Sequence, residues 1–309
     1  MSRHDLYTES GGPAVPEFRI GLAPIPVEHW FEGGEADPAA RKDALFTEHP
    51  TLVWGEVEGS CAGQAEIAGL IREWLTLNPA HPREGGDSDG SATTSASVGG
   101  GLGRVPAFAG MSGLEVLPLL AAARAVSDDL CLMEKRSGEW TLTAASLCAP
   151  SFFSAEEVVG KQLSGLHAPV PGFNDSLLPR VARIFDHLQP DQVLERRNWT
   201  VVNDPELFQP DPAPFRARLP HQTLDEIAAS LHVRRERQTL RKAPNTGAVL
   251  FTIRIWRERL DDLLADPERH AGFAAAWNDV MSDRGAAFRT YKRLDLYDAA
   301  IRKRLSAPS

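Results

Sequence analysis

The stretch "HVRRERQTLRKAPNTGAVLFTIRIW", His232 to Trp256, decides the fold. Its second half alternates: Val249, Phe251, Ile253 and Ile255 face one way, and Leu250, Thr252, Arg254 and Trp256 the other, which is the period of a strand. Between the halves, "RKAPNTG" supplies the proline, asparagine and glycine that turns use, so an antiparallel hairpin is expected. In the first half, regular alternation puts Glu236 and Gln238 on one face and Arg235 and Arg237 on the other. Five basic residues in the nine from Arg234 to Lys242 read most simply as a solvated edge strand or an ionic network. The alternative is a face of polar groups aimed into a pocket.

Outward from the hairpin, "EWTLTAASLC" and "NWTVV" have strand composition, the latter with polar Asn198 beside Trp199. Helices show by spacing. Ile67, Leu70, Ile71, Trp74 and Leu75 form one apolar stripe, and Leu177, Leu178, Val181, Ile184, Phe185 and Leu188 another. Ser154 with Glu157 and Thr223 with Glu226 match the capping-box pattern and predict helix starts near 155 and 224. From Pro267 to Leu305 the chain reads as helical, with Phe273, Trp277, Leu294 and Tyr297 inward. Strands interleaved irregularly with helices predict an α+β fold with a mainly antiparallel sheet. The run from Arg83 to Gly103 holds no aromatic residue and reads as a disordered insertion. The expected organisation is a flexible tail over residues 1–16 and a single domain over 17–305 that contains the insertion at about 83–103.

With 42 acidic against 33 basic residues the net charge is −9, which argues against a sequence-blind nucleic-acid or anionic-membrane binder. The first residues lack the apolar core of a signal peptide, and the patch "LEVLPLLAAARAV" is interrupted by Glu115 and Arg124, so a cytoplasmic protein is expected, with no membrane span. Cys61, Cys131 and Cys148 stand too far apart for a zinc ribbon or an iron–sulfur cluster. There is no zinc-peptidase histidine pair, no G-x-S-x-G elbow, and the "GGGLG" near residue 100 lacks the strand and helix of a dinucleotide fingerprint. In "LHAPVPGF", Leu166 to Phe173, His167 stands at the neck of a loop stiffened by prolines. A surface histidine, a helix cap and a metal ligand are all open on the residues alone.

Four stretches in order, "LCAPSFF" (147–153), "LHAPVPGF" (166–173), "RRNWTVVNDPELFQP" (196–210) and "RERQTLRKAPNTGAVLFTIR" (235–254), resemble the haem-dependent oxidative N-demethylase family. The haem-bearing α-subunit of that family has a PAS-like fold. The resemblance implies a PAS-like, mainly antiparallel sheet with flanking helices and a helical C-terminal extension, holding haem b. It implies an oxidoreductase that reduces oxygen at the iron while a small secondary amine loses a methyl group as formaldehyde. Electrons would come from partner reductase subunits carrying flavin and an iron–sulfur centre and fed by NADPH, and a tetrahydrofolate-using subunit would take up the formaldehyde. No motif for those further cofactors stands in this chain.

Residue by residue, His167 falls in the family's His-x-Pro-Val-Pro motif, and the resemblance makes it the axial ligand to iron. Asn198, Trp199 and Arg254 go with cofactor binding. Glu236 and Arg237 match a Glu-Arg-Gln-Thr-Leu element and are the catalytic candidates. Arg237 would stabilise negative charge on reduced oxygen and Glu236 would hold a protonated amine. Anchoring a haem propionate is the alternative, for Arg237 and Arg254 especially. The chain departs from the family pattern at Phe153, Arg235 and Ile255. A guanidinium at position 235 that points inward would disfavour a small cation such as dimethylammonium. The runner-up from another class is a haem PAS module that binds or senses gas without turnover. Such a sensor would continue into an output domain, and a chain ending soon after its C-terminal helices favours the enzyme.

Overall fold

The hairpin forms as its alternation predicts. Strands β6 (His232–Lys242) and β7 (Val249–Arg259) are antiparallel, with Gln238 opposite Ile253 and Leu240 opposite Phe251. The turn closes through Ala243 N–H to Ala248 O at 2.7 Å, and Gly247 takes a left-handed φ of 72° that costs a glycine little. The computed structural model describes residues 21–33, 38–79, 117–170 and 173–306; both the expected tail and the segment from Arg83 to Gly103 lie outside them.

Among the described residues, β6 and β7 belong to one antiparallel sheet of seven strands in the order β1-β5-β6-β7-β3-β4-β2. The others are β1 (Ala23–Ile25), β2 (Trp54–Glu56), β3 (Asp129–Arg136), β4 (Glu139–Ser146) and β5 (Val193–Val202). Before β3 come α1 (Pro38–Glu48), α2 (Pro50–Val53), α3 (Cys61–Leu77) and α4 (Pro118–Ala123). Between β4 and β5 lie α5 (Ala155–Val158), α6 (Leu163–Leu166) and α7 (Leu178–His187). Helices α8 (Ala213–Arg218) and α9 (Leu224–Ser230) precede β6. After β7 follow α10 (Leu260–Leu264), α11 (Pro267–Met281), α12 (Ala286–Lys292) and α13 (Asp298–Leu305). This is the α+β fold expected, with its PAS-like sheet, flanking helices and helical C-terminal part. Both capping boxes form, at Ser154/Glu157 and Thr223/Glu226. No helix among the described residues is long and apolar enough to cross a membrane.

The edge-strand reading of the basic run is overturned. β6 pairs with β5 on one side and β7 on the other along its whole length, and Arg234 and Arg237 are each only 1% exposed. Sequence cannot separate these cases, because a charged residue buried in a pair and one bathed in water look alike in a string of letters.

The sheet packs on both faces. On the first, α5 to α7 cover Cys131, Met133, Leu142, Leu240 and Val249, with Leu163, Phe185 and Leu188 against them. The second carries two clusters. One sets Trp30, Ile67, Ile71, Trp74 and Leu119 against Leu130, Leu132 and Leu250; the other sets Phe273, Trp277, Tyr297 and Ile301 against Trp199 and Val233. Phe273, Trp277, Leu294 and Tyr297 are inward as expected. Between the clusters runs an ionic belt, with Arg197, Arg237 and Arg254 side by side on β5, β6 and β7.

Asp128, 1% exposed, lies within reach of that belt's charge. Burial pushes its carboxyl up to about 6, against the opposing pull of Arg254, Arg237 and Lys42. A folded-state value above the unfolded one favours the folded state most below the unfolded pKa of 3.8, and that contribution is lost as pH rises through about 6. Asp128→Asn is therefore expected to gain about 2–3 kcal/mol on the parent between pH 4 and pH 8. Urea midpoints at the two pH values check this, and an unchanged difference would place the titration elsewhere.

Candidate functional site

On the first face, the register sets Asn198 of β5 opposite Glu236 of β6, and Arg196 opposite Gln238. Residues opposite one another in an antiparallel pair point the same way, so these four side chains share a face with Ile253 and Ile255 of β7. Glu236 Oε2 accepts from Gln238 Nε2 at 3.0 Å and Asn198 Nδ2 at 3.3 Å, and Oε1 accepts from Ser151 Oγ at 3.3 Å. Burial raises the carboxyl, but Lys292, Arg234, Arg196 and the Asn198 amide outweigh it, and the net position is below the usual carboxylate range. Glu236 is thus a buried anion at neutral pH.

Ser151 reaches Glu236 because its loop is held at both ends. The Asp129 carboxylate accepts from the N–H groups of Cys148 at 2.7 Å and Ala149 at 2.9 Å. Arg234 donates to Ala149 O at 2.7 Å, Pro150 O at 3.0 Å, Leu207 O at 3.2 Å and Ser151 Oγ at 3.1 Å. Carbonyls that α or β structure would otherwise claim are turned onto one guanidinium, and the stretches 147–153 and 196–210 are joined through it. Next to Ser151, Phe152 has a φ of 67°, and its N–H donates to Gln209 O at 2.7 Å. A non-glycine residue held in the left-handed region marks a loop whose surroundings determine its shape.

His167 caps the C-terminus of α6. Its Nδ1 lies 3.1 Å from Leu163 O, and a carbonyl only accepts, so Nδ1 carries the proton and Nε2 the lone pair. One ring face stacks on Phe173 at 4.0 Å between centroids and 9° between planes. Burial lowers the imidazole pKa, the Leu163 carbonyl opposes this, and the Arg196 charge lowers it further, so the ring is neutral at pH 7. On the same face, Leu166, Leu178, Val181, Leu194, Phe251 and Ile253 are only half-buried against the core that includes Leu163. Among the described residues no group of three or more His, Cys, Asp or Glu is placed to hold a metal ion.

The candidates divide by the parity of their strands. His167, Asn198 and Glu236 belong to the first face, and Arg196 links them, since its charge is felt at both His167 and Glu236. Trp199, Arg237 and Arg254 point to the second. Trp199 packs at 6.1 Å, centroid to centroid, on Phe273 in the C-terminal cluster. Arg237 is paired with Glu195 through Nε and donates to Trp30 O at 2.9 Å and His29 O at 2.5 Å. Arg254 lies over the Trp256 ring at 5.1 Å, beside Asp128. Arg235 is also on that side, 3.7 Å from Glu258, so it brings no charge to the face of Glu236. As the alternation predicts, Glu236 and Arg237 face apart across the sheet.

Sequence reasoning passed over Arg196, Ser151, Arg234 and Lys292. Arg196 was within reach, being two residues before Asn198 and so on its face. The contacts of Ser151 and Arg234 span more than eighty residues and left no local mark.

One neutral imidazole whose Nε2 bears the lone pair, on a face with half-buried apolar side chains, suits haem, since the porphyrin itself supplies four ligands. The protein is thus an α+β protein whose antiparallel sheet, covered by short helices, carries that imidazole and a buried carboxylate on one face. Residues 100–302 match the family model described as haem-dependent oxidative N-demethylase, alpha subunit-like. The chain belongs to that family.

Proposed function

We propose that this chain is the haem-binding, oxygen-activating subunit of an oxidoreductase that demethylates a small amine, with His167 as the axial ligand to haem b. The observation that carries the reading is the His167 ring, neutral, with Nδ1 tied to Leu163 O so that Nε2 bears the lone pair, and near enough to Arg196 to feel the charge that also acts on Glu236. Bound haem supplies the place where oxygen is reduced. The chain's own residues do the rest. The Leu163 carbonyl fixes the ring's tautomer and orientation, and Phe173 holds its plane. Glu236, ionised, takes a protonated amine on Oε1, while Asn198 and Gln238 keep the carboxylate from turning. Each methyl group removed consumes one dioxygen, two electrons and two protons and yields the demethylated amine, formaldehyde and water. The electrons come from partner reductase subunits bearing flavin and an iron–sulfur centre, with NADPH as their source, in the cytoplasm. Arg237 and Arg254, on the far side of the sheet, act as scaffold rather than on bound oxygen.

The test is an absorption spectrum of freshly purified protein, followed by formaldehyde measurement with NADPH and a panel of secondary amines under air, with and without a reductase. A haem Soret band and turnover only with the reductase are expected. A haem-replete protein inactive with every reductase and amine would make it a gas-binding module, and turnover with NADPH alone would remove the partner.

A further inference from the structure

We infer that the amine taken by this site carries a carboxylate, making the substrate class N-methylated amino acids rather than simple dialkylamines. This rests on the proposed amine-binding role of Glu236. The first observation is the charge around that carboxylate. Lys292, Arg234 and Arg196 all act on it, three cations against one anion. Arg234 is occupied, since its guanidinium is taken up by the carbonyls of residues 149, 150 and 207 and by Ser151, and the Asp129 charge acts on it as well.

The other two cations are not so occupied. Among the described residues, Arg196 makes no side-chain hydrogen bond or ion pair, although it is half-buried and desolvation lowers its pKa. Lys292 makes none either, resting 5.7 Å from the Tyr291 ring. A half-buried guanidinium that has no protein acceptor is free to take one from a ligand, and a charge-assisted pair there is favoured. A dialkylammonium ion would add a third positive charge to two that have no partner. A zwitterion places its ammonium on Glu236 and its carboxylate on Arg196, so both ends are paired and the net charge is unchanged.

Geometry agrees. Arg196 and Asn198 are two apart on β5, and Asn198 is directly opposite Glu236, so Arg196 and Glu236 are diagonal neighbours on one face, with their backbones about 7–8 Å apart and both side chains long enough to reach the two ends of one small zwitterion. Glu236 Oε2 already accepts two donors and Oε1 one, which leaves room on Oε1 for one N–H. For N-methylglycine the reaction balances as substrate, dioxygen, two electrons and two protons giving glycine, formaldehyde and water, the electrons from the same reductase.

The experiment titrates the haem-loaded protein with N-methylglycine, N-methylglycinamide and dimethylamine, reading the Soret shift. Calorimetry on the protein as purified reads the same preference without haem absorbance, so failure to bind haem and failure to prefer a carboxylate are separate results. N-methylglycine is expected to bind at least about tenfold more tightly than the other two, the effect of one charge-assisted pair. Arg196→Met should remove that preference by weakening N-methylglycine binding while dimethylamine binding is equal or tighter, since one positive charge is gone, and Arg196→Lys should keep part of the preference. Equal affinity for the three ligands in the parent would overturn the inference. So would an Arg196→Met protein that loses haem with the preference intact, since Arg196 would then serve a propionate.

Discussion

Alanine in place of His167 is expected to lower haem affinity by at least about a hundredfold and leave the protein folded. Loss of a residue that merely orients a metal ligand costs roughly 10–100-fold, and loss of the ligand itself costs more. The fold should survive because His167 contributes little to it. The ring is half-buried, makes one hydrogen bond to Leu163 O and stacks on Phe173, which together are worth about 1–2 kcal/mol. Haem per folded chain, from the Soret band and circular dichroism on one sample, is the measurement. Free imidazole should restore part of the band by entering the space the side chain leaves. A folded His167→Ala protein with its haem spectrum unchanged would show that iron is held from elsewhere, and the first-face site would then lose its main support.

The parts of this protein that sequence discloses are those whose physics is local. The β6–β7 hairpin is legible because a strand alternates with period two and its turn needs Pro, Asn and Gly, and both follow from neighbouring residues. The capping boxes at Ser154 and Thr223 are legible for the same reason, since donor and acceptor stand three residues apart. The faces of Glu236 and Arg237 were also legible, yet a motif that spans both invites one role for the pair. What stays hidden is anything set by distant chain. Ser151 meets Glu236 only because Asp129 and Arg234 pin a loop from two sides, and Arg196 comes near His167 only because α6 and α7 pack on the face of the sheet that Arg196 shares. The buried state of Arg234 and Arg237 is hidden too, because burial of a charge depends on partners far along the chain: the backbone of residues 149, 150 and 207 for Arg234, and Glu195 with the backbone of residues 29–30 for Arg237.

Arg237 supplies the opposite kind of test, a large loss of stability with the site intact. Its guanidinium is 1% exposed, and Nε, Nη1 and Nη2 each have an acceptor: the Glu195 carboxylate, Trp30 O and His29 O. Glu32 lies 3.3 Å from Nε and is also paired with Arg197. Arg237→Met removes one of two cations and leaves the Glu195 and Glu32 carboxylates to share Arg197 alone, one negative charge in excess, with two carbonyls short of donors in a buried place. Breaking a buried pair by deleting one partner costs about 3–5 kcal/mol, because the remaining charge is uncompensated. For a chain of this size that corresponds to a fall in melting temperature of roughly 5–8 °C. Arg237→Lys should recover little, since an ammonium lacks the planar fork that meets three acceptors at once. Adding Glu195→Gln to Arg237→Met should return part of the loss by removing a stranded charge. Through all of this, haem content and amine affinity per folded chain should stay within about threefold of the parent, because Arg237 faces away from His167 and Glu236. Glu236→Gln should do the reverse, weakening amine binding with a smaller change in melting temperature. If Arg237→Met melts with the parent but no longer binds oxygen, the division of roles between the two faces of the sheet is wrong, and the guanidinium acts on the cofactor after all.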